Sequence, residues 1–109
     1  MSQTLTGTGV SGGTFTGIVR VVHTDTDAKQ LTKEHAAVLI APQREHLHLL
    51  KRAGVIISES GGLLGHIAKL AREGNIPFVS SVENAATIFK DGDRVTVDGK
   101  AGTVMCEAP

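Results

Sequence analysis

The residues whose types and spacing can do chemistry lie in one stretch, Glu59-Ser60-Gly61-Gly62-Leu63-Leu64-Gly65-His66. The apolar run Val55-Ile56-Ile57 before it predicts a buried strand. Ile67, Leu70 and Ala71 after it, at i, i+3 and i+4, predict a short amphipathic helix over 66–73. Ser58–Gly65 then reads as an exposed loop that delivers His66 to a helix start. Helix starts leave N–H groups unpaired and carry partial positive charge. Gly61, Gly62 and Gly65 have no Cβ, so backbone amides there can approach a ligand closely. The combination reads as an anion site, with phosphate the obvious anion. An imidazole, whose ordinary pKa is about 6.5, is available in its neutral form as a nucleophile at physiological pH. A nitrogen of His66 can therefore take a phosphoryl group while the amides hold its oxygens. A histidine that only caps or packs a helix start is the plainer alternative, and spacing alone leaves both open.

The elements that must position this stretch follow from the rest of the chain. A strand or loop around Thr4–Thr8 leads to a turn at Ser11-Gly12-Gly13. Phe15–His23 is a β-branched run suited to a strand. Asp25 or Thr26 caps a short helix through Leu31. Ala36–Ala41 is a continuous apolar run, as expected of a buried strand, and Pro42 ends it. Over 43–53 a helix is expected, with Leu47, Leu50 and Ala53 on one face and Gly54 as its stop. Gly74 and Asn75 end the helix that carries His66. Ile76–Val79 leads into another strand, Asn84 caps a turn of helix over 85–89, and Asp91-Gly92-Asp93 turns the chain. Arg94–Asp98 and Thr103–Met105 form a closing hairpin around Gly99–Gly102. Strand and helix alternate through the middle, so the class is mixed α/β.

Composition removes several function classes. The 109 residues are one compact domain over 1–109, at an expected radius of gyration of about 13 Å. That leaves no room for both a nucleotide-binding fold and a separate substrate domain. Lys plus Arg and Asp plus Glu are each 11, so no basic excess exists to neutralise nucleic-acid phosphates. With three Phe and no Trp or Tyr there is no platform for stacking bases. Cys106 is the only cysteine, which excludes an internal disulfide and a cysteine zinc cage and fits a reducing cytoplasm. No apolar run approaches the roughly 20 residues of a membrane span, and no signal peptide is evident. No nucleic-acid partner and no membrane are expected.

Other candidates weigh less. Ser58 and Ser60 read as loop hydroxyls, and Glu59 as either orienting His66 or solvated. His46-Leu47-His48 invites a metal, but i and i+2 on a helix point apart and cannot chelate one ion. Asp91, Asp93 and Asp98 read as turn residues, and Cys106 as a small apolar strand residue. No metal site is expected in the chain. Arg72 lies six positions beyond His66, about 600° round an α-helix, so the two do not share a face.

The segment Gly61-Gly62-Leu63-Leu64-Gly65-His66, followed by Ala71-Arg72-Glu73, Gly74-Asn75-Ile76-Pro77 and the strand at Phe78-Val79, resembles the signature of the mobile domain of phosphoenolpyruvate-utilising enzymes. Asp91-Gly92-Asp93 and Val97-Asp98-Gly99 are similar to that family's closing hairpin. Gly9–Gly13 and Gly17–Val21 are similar to its opening strand. The resemblance implies a swivelling β/β/α phosphohistidine domain, as in phosphoenolpyruvate synthase, pyruvate phosphate dikinase, rifampin phosphotransferase and enzyme I of the sugar phosphotransferase system. It implies that His66 accepts and passes a phosphoryl group, with Gly61, Gly62, Gly65 and Arg72 around the phosphate. It also implies that magnesium, ATP or phosphoenolpyruvate and the pyruvate site belong to nucleotide-binding and phosphoenolpyruvate-binding partner domains, with no cofactor on this one. Where the family carries Thr and Ser before the histidine, this chain has Leu64 and Gly65. Loss of both hydroxyls keeps a second expectation open, a catalytically silent interaction or regulatory module on the same fold.

Overall fold

A computed structural model of the chain describes residues 2–40, 44–59 and 63–107. Its strands are β1 (Ser2–Thr6), β2 (Thr8–Ser11), β3 (Thr14–Val22), β4 (His35–Leu39), β5 (Val55–Ser58), β6 (Phe78–Ser80), β7 (Arg94–Asp98) and β8 (Thr103–Glu107). Three α-helices, α1 (Asp25–Lys29), α2 (Leu64–Glu73) and α3 (Ala85–Ile88), and a 3₁₀ helix at Arg44–Arg52 complete the order. The Cα radius of gyration is 11.9 Å. Among the described residues, no helix is long and apolar enough to cross a membrane.

All eight strands join one sheet in the order β1-β8-β7-β3-β4-β5-β6-β2. The middle pairs β3–β4, β4–β5 and β5–β6 are parallel, and the pairings of β1, β2, β7 and β8 are antiparallel. The two strands at the margins, β1 and β2, are consecutive and joined by Gly7, so the sheet curls until its margins meet. The meeting is backbone on backbone. Gly7 N–H donates to Gly102 O at 2.8 Å, extending the β1–β8 ladder, and Gly99 N–H to Gly13 O at 2.8 Å, extending the β3–β7 ladder, while a Cβ on Gly9 of β2 would overlap the carbonyl oxygens of Gly99 and Lys100 in the β7–β8 turn. A Cβ on Gly99 would overlap the carbonyl oxygen of Ser11, and Gly102 sits at φ +75. Glycine is required at both places by close approach and by a left-handed backbone.

The curled sheet encloses one core and lays a second against the helices. Ala36, Val38, Val55 and Ile57 point into the first with Val19, Val95, Val97, Val104 and Phe89. Ala37, Leu39 and Ile56, at the alternate positions, point into the second with Leu47, Leu50, Ile67, Ala71 and Phe78. This is why β4 and β5 read as continuous apolar runs rather than as alternation: both of their faces are covered. Each fully buried Val, Leu, Ile or Phe contributes about 1.5–3 kcal/mol of transfer free energy. The layers are therefore sheet, sheet and helix, the β/β/α arrangement expected of a single compact domain.

Several local expectations need correction. The helix expected over 43–53 is 3₁₀ from Arg44 to Arg52, and Pro42 and Gln43 lie outside the described residues. Leu47, Leu50 and Ala53 are spaced by three. At 3.0 residues per turn they align, whereas on an α-helix they would drift about 120°. All three are buried. Lys33 Nζ closes the far end, donating to the carbonyl oxygens of Lys51 at 2.5 Å and Ala53 at 3.1 Å. Thr24, not Asp25 or Thr26, is the N-cap of α1. Asn84 stands at the N-cap of α3 but at φ 59, with no side-chain cap bond. The helix bearing His66 begins two residues early, at Leu64.

Candidate functional site

Parallel pairing of β4 with β5 decides the site's location. Loops that follow adjacent parallel strands emerge at the same edge of the sheet, outside the strands' carboxyl ends. The connection after β4 ends at Arg44, and the connection after β5 leads to His66. The two residues are 22 positions apart in sequence and meet there, with Arg44 Nη2 3.4 Å from His66 Nε2. Both side chains are exposed.

The loop after β5 leaves the sheet under control. Ser58 is buried as the last residue of β5, a correction to its expected place in an exposed loop. Its carbonyl accepts from Val82 N–H at 3.0 Å, and Glu59 N–H donates to Leu39 O at 3.1 Å. Glu59 neither orients His66 nor is merely solvated. Its Oε2 accepts from Ala86 N–H at 3.2 Å, in the first turn of α3. It thus does from a neighbouring loop what Asn84 does not do from the N-cap position. Ser60, Gly61 and Gly62 lie outside the described residues, so the expected roles of Gly61 and Gly62 rest on the sequence.

Leu63 re-enters as the N-cap of α2 at φ 59 and ψ 21. A bulky side chain in the left-handed region is costly, on the order of 1–3 kcal/mol. Leu63 keeps it because its side chain packs against the helix-side core. That geometry starts α2 at Leu64, with Ile67 N–H donating to Leu63 O at 3.0 Å. His66 is therefore the third residue of the helix, not its first. Leu64, Gly65 and His66, the exposed first turn, contain no acid, and Leu63 brings no oxygen to cap them. Among the described residues, no side chain opposes the positive end of the helix dipole there. The space around Gly65 is open: a Cβ on it would meet nothing within 4 Å.

Ile67, Ala68 and Ala71 anchor the opposite face of α2 in the core. The far end closes in a full Schellman arrangement. Ile76 N–H donates to Ala71 O at 2.8 Å and Asn75 N–H to Arg72 O at 3.3 Å. Asn75 at φ 54, rather than Gly74, takes the left-handed position. Arg72 is exposed and turned from His66, its Nη2 donating to Val10 O on β2 at 3.5 Å. The structure thus brings Arg44 to His66 and does not bring Arg72. Among the described residues, no group of three or more His, Cys, Asp and Glu stands together to hold a metal.

The reading of sequence spacing missed Arg44. Spacing along one element cannot show a contact made between two loops. The signal that could have found it is topological: two buried apolar runs, each followed by a helix, predict parallel neighbours whose loops share an edge.

Comparison with known proteins supplies the remaining observation. The pattern of the PEP-utilising enzyme, mobile domain, matches residues 32–102. A pyruvate kinase of Geobacillus stearothermophilus is 34% identical over 99 residues, 90% of this chain and 17% of that protein. A phosphoenolpyruvate synthase of Aeropyrum pernix is 35% identical over 103 residues, 94% of this chain and 13% of that protein. A solution structure of Enzyme I superposes with a TM-score of 0.67 at 26% identity, covering 75% of this chain and 34% of that one. The chain therefore spans less than a fifth of the length of these two sequence relatives.

Proposed function

The chain belongs to the family of PEP-utilising enzyme mobile domains, and from that premise we propose that it is a phosphoryl carrier with His66 as the acceptor. The observation that carries the reading is the position of His66, exposed in a first helical turn that Leu63 does not cap, with Nε2 facing a guanidinium. Arg44 has only donors, so its approach suits the tautomer in which Nε2 bears the lone pair and Nδ1 the proton.

Phosphoryl transfer to this site is a simple exchange. The lone pair of Nε2 forms an N–P bond. The bond from phosphorus to the donor's leaving oxygen breaks, and its electron pair goes with that oxygen. The Nδ1 proton passes to water, leaving a neutral ring and an added phosphoryl charge. The amides of the first turn of α2 would be its backbone donors. Passing the group on is the same step in reverse, with an oxygen of the final acceptor attacking phosphorus.

Donor and final acceptor sites belong to other domains in this reading. Nucleotide, phosphoenolpyruvate or pyruvate, and magnesium would bind there. The carrier would swing between those sites. Names of the relatives, a phosphoenolpyruvate synthase and a pyruvate kinase, support an enol phosphate at one end of the relay.

The test pairs the chain with the remaining domains of a phosphoenolpyruvate synthase and labelled phosphoenolpyruvate or ATP. A label that is acid-labile, alkali-stable and absent from His66→Ala is expected. A label that survives His66→Ala would show that another residue is the acceptor. Tight binding to those domains without any label would favour the silent interaction module.

A further inference from the structure

We propose that Arg44, and not Arg72, is the cation that holds the phosphoryl group on His66; this deepens the carrier reading and rests on it. The sequence pattern offers Arg72, six residues along the same helix. The structure turns Arg72 to the carbonyl of Val10 on β2 and sets Arg44 against the histidine ring. Arg44 Nη2 lies 3.4 Å from Nε2, long for a hydrogen bond. The contact therefore marks position more than strength. A phosphoryl group on Nε2 would place its oxygens where the guanidinium already stands, and a guanidinium can donate two parallel bonds to them.

Three further observations fit this assignment. The ion pairs seen among the described residues, Arg20–Asp27 and Lys29–Asp25, do not involve Arg44. Glu59, the acid of the loop after β5, is engaged by Ala86 N–H. Leu64 and Gly65 supply no hydroxyl to the phosphate, and Arg44 is the side-chain donor seen against the His66 ring. The start of the 3₁₀ helix is well placed to supply it, because α2 and that helix pack on the same core. Leu47 and Leu50 from one meet Ile67 and Ala71 from the other. The first turn of the 3₁₀ helix and the first turn of α2 thus form two jaws, one carrying the cation and the other the nucleophile.

The experiment uses the intact chain and a small donor, potassium phosphoramidate, whose P–N bond breaks to release ammonia as the histidine N–P bond forms. Mass spectrometry locates the label, and phosphorus NMR follows its half-life in wild type, Arg44→Ala, Arg44→Lys and Arg72→Ala. Circular dichroism checks the fold, and Arg44→Gln replaces Arg44→Ala if the latter unfolds. The expected result is a His66 phosphoramidate whose half-life falls about fivefold in Arg44→Ala, the upper end for an exposed ion pair. Arg44→Lys should recover part of it, added salt should narrow the difference, and Arg72→Ala should match wild type. A His66 label with the same half-life in wild type and Arg44→Ala would overturn the assignment of Arg44 and leave the carrier reading intact. An equal loss in Arg72→Ala would overturn it in favour of both arginines or of Arg72. Labelling of His48 and other exposed histidines but never of His66 would overturn the carrier reading, and the role of Arg44 with it.

Discussion

The first turns of α1 and α2 are built in opposite ways. At α1, Thr24 Oγ1 accepts from Asp27 N–H at 3.4 Å, and Asp27 Oδ2 accepts from the N–H groups of Thr24 at 3.2 Å and His23 at 3.0 Å. Asp25 and Asp27 also set negative charge against the positive end of the helix. At α2, Leu63 contributes no oxygen, no acid occupies the first turn, and Leu64, Gly65 and His66 face solvent. The chain completes one helix start with its own side chains and, among the described residues, leaves the other without a side-chain cap. The far end of α2 is closed by the backbone bonds of Asn75 and Ile76.

The sharpest contrast lies within a single turn of α2. Ile67 is fully buried between α2 and the sheet, while its neighbour His66 is exposed. Ile67→Ala should cost about 2–5 kcal/mol of stability, read by denaturant unfolding. His66→Ala should change stability by no more than about 0.5 kcal/mol. Equal losses would mean that His66 serves the fold, and the contrast would fail.

Removing a cap separates the two helix starts next. Thr24→Ala should destabilise the domain by about 1 kcal/mol, since two donors at α1 lose their arrangement. Leu64→Ala at α2 should cost less, because Leu64 is partly exposed and caps nothing. Acid should act on the same end. The N–H groups of His23 and Thr24 and the guanidinium of Arg20 hold the Asp27 carboxyl below the ordinary aspartate value. The unfolded chain then binds its proton first as pH falls. Stability from Asp27 is present above that ordinary value, about pH 3.9, and is lost as pH drops below it. Unfolding free energy followed from pH 5 to pH 2 should fall less steeply in Asp27→Asn than in wild type.

The smallest expected effect on stability is at Gly65. With open space around it, Gly65→Ser should shift stability by about 0.5 kcal/mol or less. It should lengthen the half-life of phosphorylated His66 by adding one hydroxyl donor. An unchanged half-life would show that Arg44 and the backbone amides already meet the charge, and that Leu64-Gly65 is no mark against a carrier.

Much of this architecture was legible in the sequence because it is local. Buried strands showed as apolar runs, and the closing hairpin as Asp98-Gly99 and Gly102 around alternating residues. The His66 helix was legible in Ile67, Leu70 and Ala71, although its start was placed at His66, since nothing in the letters shows that Leu63 adopts a left-handed backbone. The 3₁₀ helix was hidden because spacings of three were read against a period of 3.6. Glu59 on α3 and Arg44 on His66 were not legible along the chain, because each contact joins residues more than 20 positions apart across parallel strands. The seam of β1 and β2 was hidden for the same reason. Its glycines declare a turn, not which backbone they press against.

The central claim is that α2 begins where phosphate is held and α1 does not. The most direct measurement is a proton–nitrogen NMR spectrum of the domain before and after phosphorylation. The amides of Leu64, Gly65 and His66 should shift strongly, with phosphorus coupling at Nε2 of His66, while those of Asp25, Thr26 and Asp27 stay in place. Phosphorylated protein in which the α2 amides do not move, or in which those of α1 move as far, would contradict the account.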